Sequence, residues 1–231
     1  MKIIFLILVA YILFETFRIY PKFQASKHLL DTTNKFENIS TDISKSILVL
    51  GDSTAVGVGA ATPEQSIPGL LFSHTNSTYL ENLAVSGAKL QDLSAQLENK
   101  KLDKYNLILI QVGGNNIVAF ENPEKHQADW EQLLNSLPPH NKLVVMSAGN
   151  VGATPIIPYI LRTTYTALNL KYHQFFARSL ADAPNFMYIN LYQDPVQDPF
   201  SQQPQIYLAP DSFHPSSAGY KFWFDKMVEK L

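Results

Sequence analysis

Residues 46–54 read Ser-Ile-Leu-Val-Leu-Gly-Asp-Ser-Thr, and this stretch decides how the rest of the chain is interpreted. Its apolar run, residues 47–50, is rich in strand formers, and Gly51-Asp52 ends the run, as expected where a buried parallel strand enters a tight turn. Ser53 is therefore predicted at the carboxyl end of a strand, where open α/β sheets place ligands and reactive groups. The small residues of 55–60 allow close approach to the backbone. A lone serine here would only cap a turn or a helix, so its role depends on partners later in the chain.

Strand and helix patterns alternate along the remainder of the chain. Short apolar runs predict further strands at 78–84, 105–112, 142–146 and 186–190. Helical spacing of apolar residues predicts helices within 63–74, 90–97, 130–137, 165–176 and 220–231. Such alternation with short connections predicts βαβ units, hence a parallel sheet with helices on both faces. Two segments rich in proline, 149–160 and 194–210, are predicted to be loops, the second lying over the site, and to set substrate choice.

Composition limits the classes of function. The chain has 231 residues, 46% of them hydrophobic and 16% charged, which suits a single domain with one substantial core. A formal net charge of −2 gives no basic footprint for nucleic acid. The absence of cysteine excludes thiol chemistry, disulfides and cysteine metal sites, and is compatible with an oxidising compartment. The histidines outside the candidate site show no metal-ligand spacing and are predicted at the surface: His28, His74, His126, His140 and His173.

The N-terminus carries an apolar segment, residues 3–14, preceded by Lys2. A membrane-spanning helix needs about 20 apolar residues and a signal h-region about 7–15. Residues 1–20 are therefore predicted to be a signal peptide or a short anchor, and the lack of a small-x-small cleavage site after Phe14 favours the anchor. An apolar helix docked on the domain is the alternative. Positive charges at 18, 22 and 27 leave the orientation open, and residues 21–44 are predicted to be a linker or irregular lead-in.

Polar residues come directly after three of the predicted strands, and a fourth polar cluster precedes the last helix. In a parallel sheet these strand ends converge on one edge. Acyl transfer by serine needs a base, a group that orients the base, and donors for the oxyanion. Ser53 could supply the nucleophile, His214 the base, and Asp211, three residues before it, the orienting carboxylate. The N–H groups of Ser53 and Gly87 with the side-chain amide of Asn115 would form a three-donor oxyanion hole.

Four sequence blocks resemble those of the SGNH/GDSL hydrolase superfamily in type and in order. They are Gly51-Asp52-Ser53, Gly87, Gly113-x-Asn115 and Asp211-x-x-His214-Pro215. The resemblance covers residues 46–231 and so assigns 45–231 to one hydrolase domain. It implies a flavodoxin-like three-layer α/β/α sandwich with a five-stranded parallel sheet. It also implies Ser53, Asp211 and His214 as the catalytic triad, with no metal or organic cofactor.

Two residues depart from the family pattern. Thr54 stands where many members have Leu, and Asn116 stands where Asp is usual, for which we expect altered local hydrogen bonding rather than lost activity. Asp52 could serve the site, but a structural role in the turn, holding the strand end, is the prediction. The Gly-x-Ser-x-Gly elbow of α/β-hydrolases is absent, because Ala55 stands in place of its second glycine.

Three hypotheses about function arise from this pattern. The first is hydrolysis of an ester or thioester of a small molecule, lipid or glycan at an extracytoplasmic place, with membrane attachment through residues 3–14 or secretion. The second is an O-acetyl esterase acting on carbohydrate or peptidoglycan. The third, from another class, is a non-catalytic glycan- or lipid-binding module of the same fold.

Overall fold

The computed structural model describes residues 2–180 and 185–231 and is organised around a parallel sheet of five strands. The strands are β1 (Ser46–Gly51), β2 (Tyr79–Asn82), β3 (Tyr105–Gln111), β4 (His140–Met146) and β5 (Phe186–Ile189). Their order is β2-β1-β3-β4-β5, and every neighbouring pair is parallel. All six residues of β1 are buried, as in a strand covered on both faces. The five strands predicted from apolar runs are thus confirmed.

The described residues form helices, several of which cover both faces of this sheet. They are α1 (Lys2–Thr32), α2 (Ser53–Val56), α3 (Ile67–His74), α4 (Leu93–Gln96), α5 (Gly114–Val118), α6 (Gln127–Ser136), α7 (Arg162–Ser179), α8 (Pro199–Gln202), α9 (Pro204–Tyr207) and α10 (Ser217–Val228). Alternate residues of β1 point to opposite faces, so Leu48 packs in a core with α6 and α7, and Val49 in a core with α3 and α10. The three-layer α/β/α architecture is the one expected.

Three predicted segments differ in detail from the structure. The helix over 63–74 is a 3-10 turn, Pro63–Gln65, followed by α3, because Ser66 caps α3 and interrupts the run. The helix over 90–97 is divided into a 3-10 turn, α4 and a second 3-10 turn. The segment 194–210 contains α8 and α9, because Asp198 caps the first and each begins with proline at its first turn.

Residues 2–32 form one continuous helix, α1, with Pro21 inside it. Residues 21–32, predicted as part of a linker or irregular lead-in, therefore continue the helix, and the irregular segment begins at Thr33. Within α1 an 18-residue window has a mean hydropathy of 2.1, and almost none of it is buried. Among the described residues, α1 is the one helix long and apolar enough to cross a membrane, a property that signal sequences share.

Candidate active site

Ser53, His214 and Asp211 form a continuous chain of hydrogen bonds at the carboxyl edge of the sheet. The Oγ of Ser53 lies 2.9 Å from Nε2 of His214, although 161 positions separate them in sequence. On the other side of the ring, Nδ1 lies 2.6 Å from Oδ2 of Asp211. Because an ionised carboxylate only accepts hydrogen bonds, Nδ1 carries the ring proton and Nε2 is free to accept from the hydroxyl. All three side chains are buried.

The end of β1 is held in place by close backbone contacts at Gly51. This residue has a φ of +147°, and a Cβ there would lie 2.1 Å from the carbonyl oxygen of Gln111 on β3. The side chain of Gln96 accepts the Gly51 N–H at 2.9 Å and donates to the Gly51 carbonyl at 2.8 Å. Sequence reasoning misses Gln96, because a hydrogen bond between residues 45 positions apart leaves no local pattern.

Asp52 caps the short helix that begins at Ser53. Its Oδ1 accepts the backbone N–H of Thr54 at 2.8 Å and the Thr54 hydroxyl at 2.7 Å. Burial raises the pKa of Asp52 above its usual value, although the hydrogen bonds from Thr54 oppose the shift. Asp52 therefore has the structural role expected, and Thr54 contributes a hydroxyl that Leu would lack.

Asp211 lies in a tight turn that fixes both the carboxylate and the imidazole. Its Oδ1 accepts the backbone N–H groups of Phe213 and His214, both at 3.0 Å. Ser212, between Asp211 and Phe213, has a φ of +57°. Burial would raise the pKa of Asp211, but the hydrogen bond from the imidazole, its charge and the two backbone amides outweigh burial and hold the pKa below its usual value. The carboxylate stays ionised and can stabilise a cationic imidazole.

Asn115 lines the same cavity as Ser53 and His214, whereas Gly87 lines a different surface depression. The two are linked through Ala88, whose carbonyl accepts one N–H of the Asn115 amide at 3.0 Å. The second N–H of that amide remains for another acceptor. Gly87 has a φ of +86°, and no atom lies within 4 Å of the position a Cβ would take. Within residues 2–180 and 185–231, the N–H groups of Ser53 and Gly87 have no acceptor.

Asn116 joins the start of α5 to the segment that comes after Gly87. Its Oδ1 accepts the Leu90 N–H at 2.9 Å, and its Nδ2 donates to Glu121 at 2.8 Å. Glu121 also binds Lys89 at 2.5 Å, which is the main reason that the pKa of Glu121 is lowered. The prediction that His126 lies at the surface is wrong, because its ring is buried against Glu121 at 3.1 Å. A carboxylate, that of Glu121, therefore lies within hydrogen-bond distance of the Asn116 side chain.

A small and mainly apolar cavity of about 60 Å³ opens beside Ser53. Its walls come from the strand ends, from both predicted loops and from α10. The apolar lining residues are Val112, Met146, Val151, Phe200, Leu208, Phe213 and Trp223. The polar lining residues beyond the triad include Ser147, Asn150, Thr154 and Asp198. Asp198 is occupied as the cap of α8, accepting the Phe200 N–H at 3.2 Å and the Ser201 hydroxyl at 2.8 Å.

This combination of a parallel three-layer sheet and a serine-histidine-aspartate chain at its carboxyl edge defines a class of acyl-transferring hydrolase folds. The chain belongs to the GDSL-like lipase/acylhydrolase family, whose profile matches residues 49–222. The matched region begins within β1 and ends within α10, so it includes every candidate site residue. No curated protein matches the chain significantly.

Solved structures with the same fold are distant in sequence. A member of the lipolytic G-D-S-L family from Veillonella parvula superposes with a TM-score of 0.62 at 14% identity, covering 80% of this chain and 97% of its own. An extracellular lipase from Streptomyces rimosus gives 0.62 at 20% identity, covering 81% and 100%. Phospholipase A1 from Streptomyces albidoflavus gives 0.57 at 16% identity, covering 81% and 99%. These similarities establish the fold.

Proposed function

We propose that the protein is a serine hydrolase that cleaves carboxylic ester or thioester bonds through an acyl-enzyme on Ser53. The observation that carries the proposal is the hydrogen-bonded chain from the Asp211 carboxylate through His214 to the Ser53 hydroxyl. Membership of an acylhydrolase family supports it. The buried, low-pKa carboxylate supports it further, since a cationic imidazole forms during the reaction.

In the proposed reaction, Nε2 of His214 takes the hydroxyl proton as Oγ of Ser53 attacks the carbonyl carbon. The carbonyl π electrons move to oxygen, and the oxyanion accepts hydrogen bonds from the Ser53 and Gly87 N–H groups and the free N–H of Asn115. When the C–O or C–S bond breaks, Nε2 returns the proton to the leaving alcohol or thiol. Water then attacks the acyl-enzyme with His214 as base, which releases the acid and restores the serine.

The size of the cavity supports short acyl groups as substrates. A volume of about 60 Å³ is small beside the roughly 300–1,000 Å³ of typical ligand sites. Its lining includes the apolar side chains of Val112, Leu208 and Trp223, which suits a short hydrocarbon chain. Acetyl is the smallest such group, so an O-acetyl esterase acting on carbohydrate or peptidoglycan is the second candidate. The structural neighbours include a lipase and a phospholipase A1, and hydrolysis of lipid esters is the variant they suggest.

We further infer that α1 is retained as a membrane anchor and that the domain works outside the cytoplasm. The exposed apolar surface of α1 supports an anchor. The contacts of Glu15 and Arg18 with residues 155–159 support retention, because cleavage near residue 20 would remove them. The absence of cysteine suits an oxidising compartment.

The assignment is tested with the full-length chain in detergent, using nitrophenyl esters of increasing acyl length. Hydrolysis is expected to be fastest with acetate or butyrate. Ser53→Ala should lose several orders of magnitude, since removing the serine of a well-studied protease costs about 10⁶-fold in kcat. Ser73→Ala, which changes an exposed residue on α3, is the matched control and should retain full activity.

A fluorophosphonate separates the enzyme from a binding module of the same fold. The reagent should label wild type at Ser53 and leave Ser53→Ala unlabelled. If wild type hydrolyses no ester and takes no label, the chain is a binding protein and the acyl-enzyme mechanism is wrong. Equal rates for wild type and Ser53→Ala would contradict the role of Ser53.

A further inference from the structure

A partly buried polar cluster joins α1 to the segment that comes after β4. Glu15 is the buried residue of α1, and it forms an ion pair with Arg18 one turn later. The Arg18 guanidinium also donates to the carbonyl oxygens of Pro155 and Ile157, and Lys22 donates to Pro155 at 3.3 Å. Because the Arg18 guanidinium binds both the Glu15 carboxylate and two backbone carbonyl oxygens of the domain, it fixes the position of the helix relative to the domain.

The tip of the same segment, residues 158–160, lies beside the apolar half of α1. The N–H of Tyr159 donates to Glu15 at 3.5 Å, and the N–H of Ile160 donates to the Tyr11 hydroxyl at 3.4 Å. Arg18 stacks on the Tyr159 ring, 5.1 Å from its centroid. Even so, Tyr159 is 57% exposed and Ile160 is 75% exposed. Two large apolar side chains therefore point to solvent at the level of residues 11–15 of α1.

The exposed surface of α1 is apolar at one end and aromatic in the middle. Residues 2–10 are exposed and extend beyond the domain. From residue 11 onward one face of α1 packs against the domain, and positions 11, 15, 18 and 22 are less exposed. The exposed aromatic residues of this middle part are Phe14, Phe17, Tyr20 and Phe23. A tyrosine in this position is typical of the boundary between hydrocarbon and water, and the exposed phenylalanines add apolar surface beside it.

The length of the free part of α1 determines where this boundary lies. Residues 3–10 extend about 12 Å at 1.5 Å per residue, whereas a hydrocarbon core is about 30 Å thick. The free part is too short to contain the whole apolar stretch, residues 3–14. Burying that stretch therefore brings residues 11–15 to the membrane, together with residues 158–160, which are docked on them. A position further from the bilayer would leave Leu13 and Phe14 in water.

We propose that residues 158–160 and the aromatic surface of α1 together form a membrane-contact surface that seats the domain on a lipid bilayer. The inference rests on the retention of α1 proposed above, and adds a second contact, through Tyr159 and Ile160. Thr154 and Val151, a few residues before this tip, line the cavity beside Ser53. Seating the tip in the headgroup region places one wall of the candidate active site at the lipid surface.

The absence of cysteine makes a direct test possible. Single-cysteine variants Ile160→Cys, Leu6→Cys and Lys104→Cys of the full chain are labelled with an environment-sensitive fluorophore and reconstituted in phosphatidylcholine vesicles. Lys104 precedes β3, at the opposite end of the sheet, and serves as the matched control. Lipids carrying a nitroxide near the headgroup should quench position 160, those with a deep nitroxide should quench position 6, and neither should quench position 104.

A second comparison tests the coupling between the tip and the anchor. Arg18→Gln should reduce shallow quenching at position 160 while leaving deep quenching at position 6 unchanged. All measurements are repeated with Ser53→Ala, which should give the same quenching because the surface does not depend on hydrolysis. The proposal is overturned if position 160 is no more quenched than position 104. It is also overturned if the fluorophore at 160 is shielded without lipid quenching, since that outcome indicates contact with protein, such as a second copy of the chain.

Discussion

Asp211 combines complete burial with a negative charge, so the candidate site depends on the hydrogen bonds that hold this carboxylate. Replacing it by Asn keeps the shape but removes the acceptor that fixes the proton on Nδ1 of His214. We expect Asp211→Asn to lower kcat by about 10⁴-fold, as the equivalent change does in a serine protease. Steady-state kinetics with a short-chain ester measure the loss. A decrease of less than about tenfold would mean that the carboxylate only caps the turn.

The same carboxylate should contribute to stability in a pH-dependent way. Because the pKa of Asp211 is lower in the folded chain than in the unfolded chain, ionised Asp211 stabilises the fold. That contribution is complete above a pH of about 4, the unfolded pKa, and is lost as pH falls through the folded value. The difference in unfolding free energy between wild type and Asp211→Asn should therefore shrink on acidification.

Asp52 provides a control for the acid titration, because its ionisation should change the free energy of unfolding in the direction opposite to that of Asp211. Burial raises its pKa in the folded chain, so its ionisation destabilises the fold as pH rises through the folded value. Asp52→Asn should gain stability relative to wild type as pH rises above about 4. Urea unfolding of both variants across the acid range measures the two trends, and parallel trends would contradict the assigned directions.

At the scale of secondary-structure elements, the junction between β1 and β3 depends on the missing side chain of Gly51. A Cβ there would overlap the carbonyl oxygen of Gln111, which is backbone and has no freedom to move aside. Gly87→Ala is the matched variant, because its φ is also positive but nothing obstructs a methyl group. That variant should lose only about 1–2 kcal/mol from the left-handed backbone. Gly51→Ala should lose clearly more, measured by urea unfolding, and equal losses would contradict the close contact.

A second element-scale prediction concerns the link between α5 and the segment that carries Gly87. Asn116→Asp removes the N–H that Glu121 accepts and places two carboxylates together. The loss of unfolding free energy, measured by urea unfolding, should be about 1–3 kcal/mol at neutral pH. Glu121→Gln alone should change little, because the oxygen of the new side chain can still contact Asn116 and His126, and the partly exposed ion pair with Lys89 adds little stability.

The double variant provides the decisive measurement for this link. Combining Asn116→Asp with Glu121→Gln should recover most of the lost stability. The amide introduced at position 121 can donate to the carboxylate introduced at position 116, and the repulsion between two like charges is removed. Additive losses in the double-mutant cycle would show that the two side chains are not coupled.

The elements that could be predicted from sequence are those whose signal is local. Each of the five strands is a short apolar run, and Ser53, Asn115 and His214 are recognisable because they come after such runs or precede a helix at family-like spacing. Gln96 and Glu121 act on residues outside their own elements, so no periodicity marks them. The extension of α1 past residue 20 also escapes prediction, because polar residues that form a helix readily look the same as a linker.

At the scale of the whole molecule, the cavity is a property of the complete fold. Met146 belongs to β4, Phe200 to α8 and Trp223 to α10, and they meet only because the sheet and its helices close around the end of β1. No sequence pattern reports the volume enclosed by such distant residues. Acyl-chain preference is therefore the functional property most directly decided by the three-dimensional structure.

Chain-length preference should change when the cavity is enlarged or narrowed. Trp223→Phe enlarges it and should raise the ratio of kcat/KM for hexanoate over acetate by roughly tenfold, the effect of one accommodated methylene or more. Gly149→Ala narrows it, because the new Cβ would lie 3.1 Å from the Trp223 ring, and should lower the ratio. Trp130→Phe makes the same chemical change in the core on the other face of the sheet, away from the cavity. Its ratio should equal that of wild type; if Trp223→Phe and Trp130→Phe give the same ratio, the acyl group binds elsewhere.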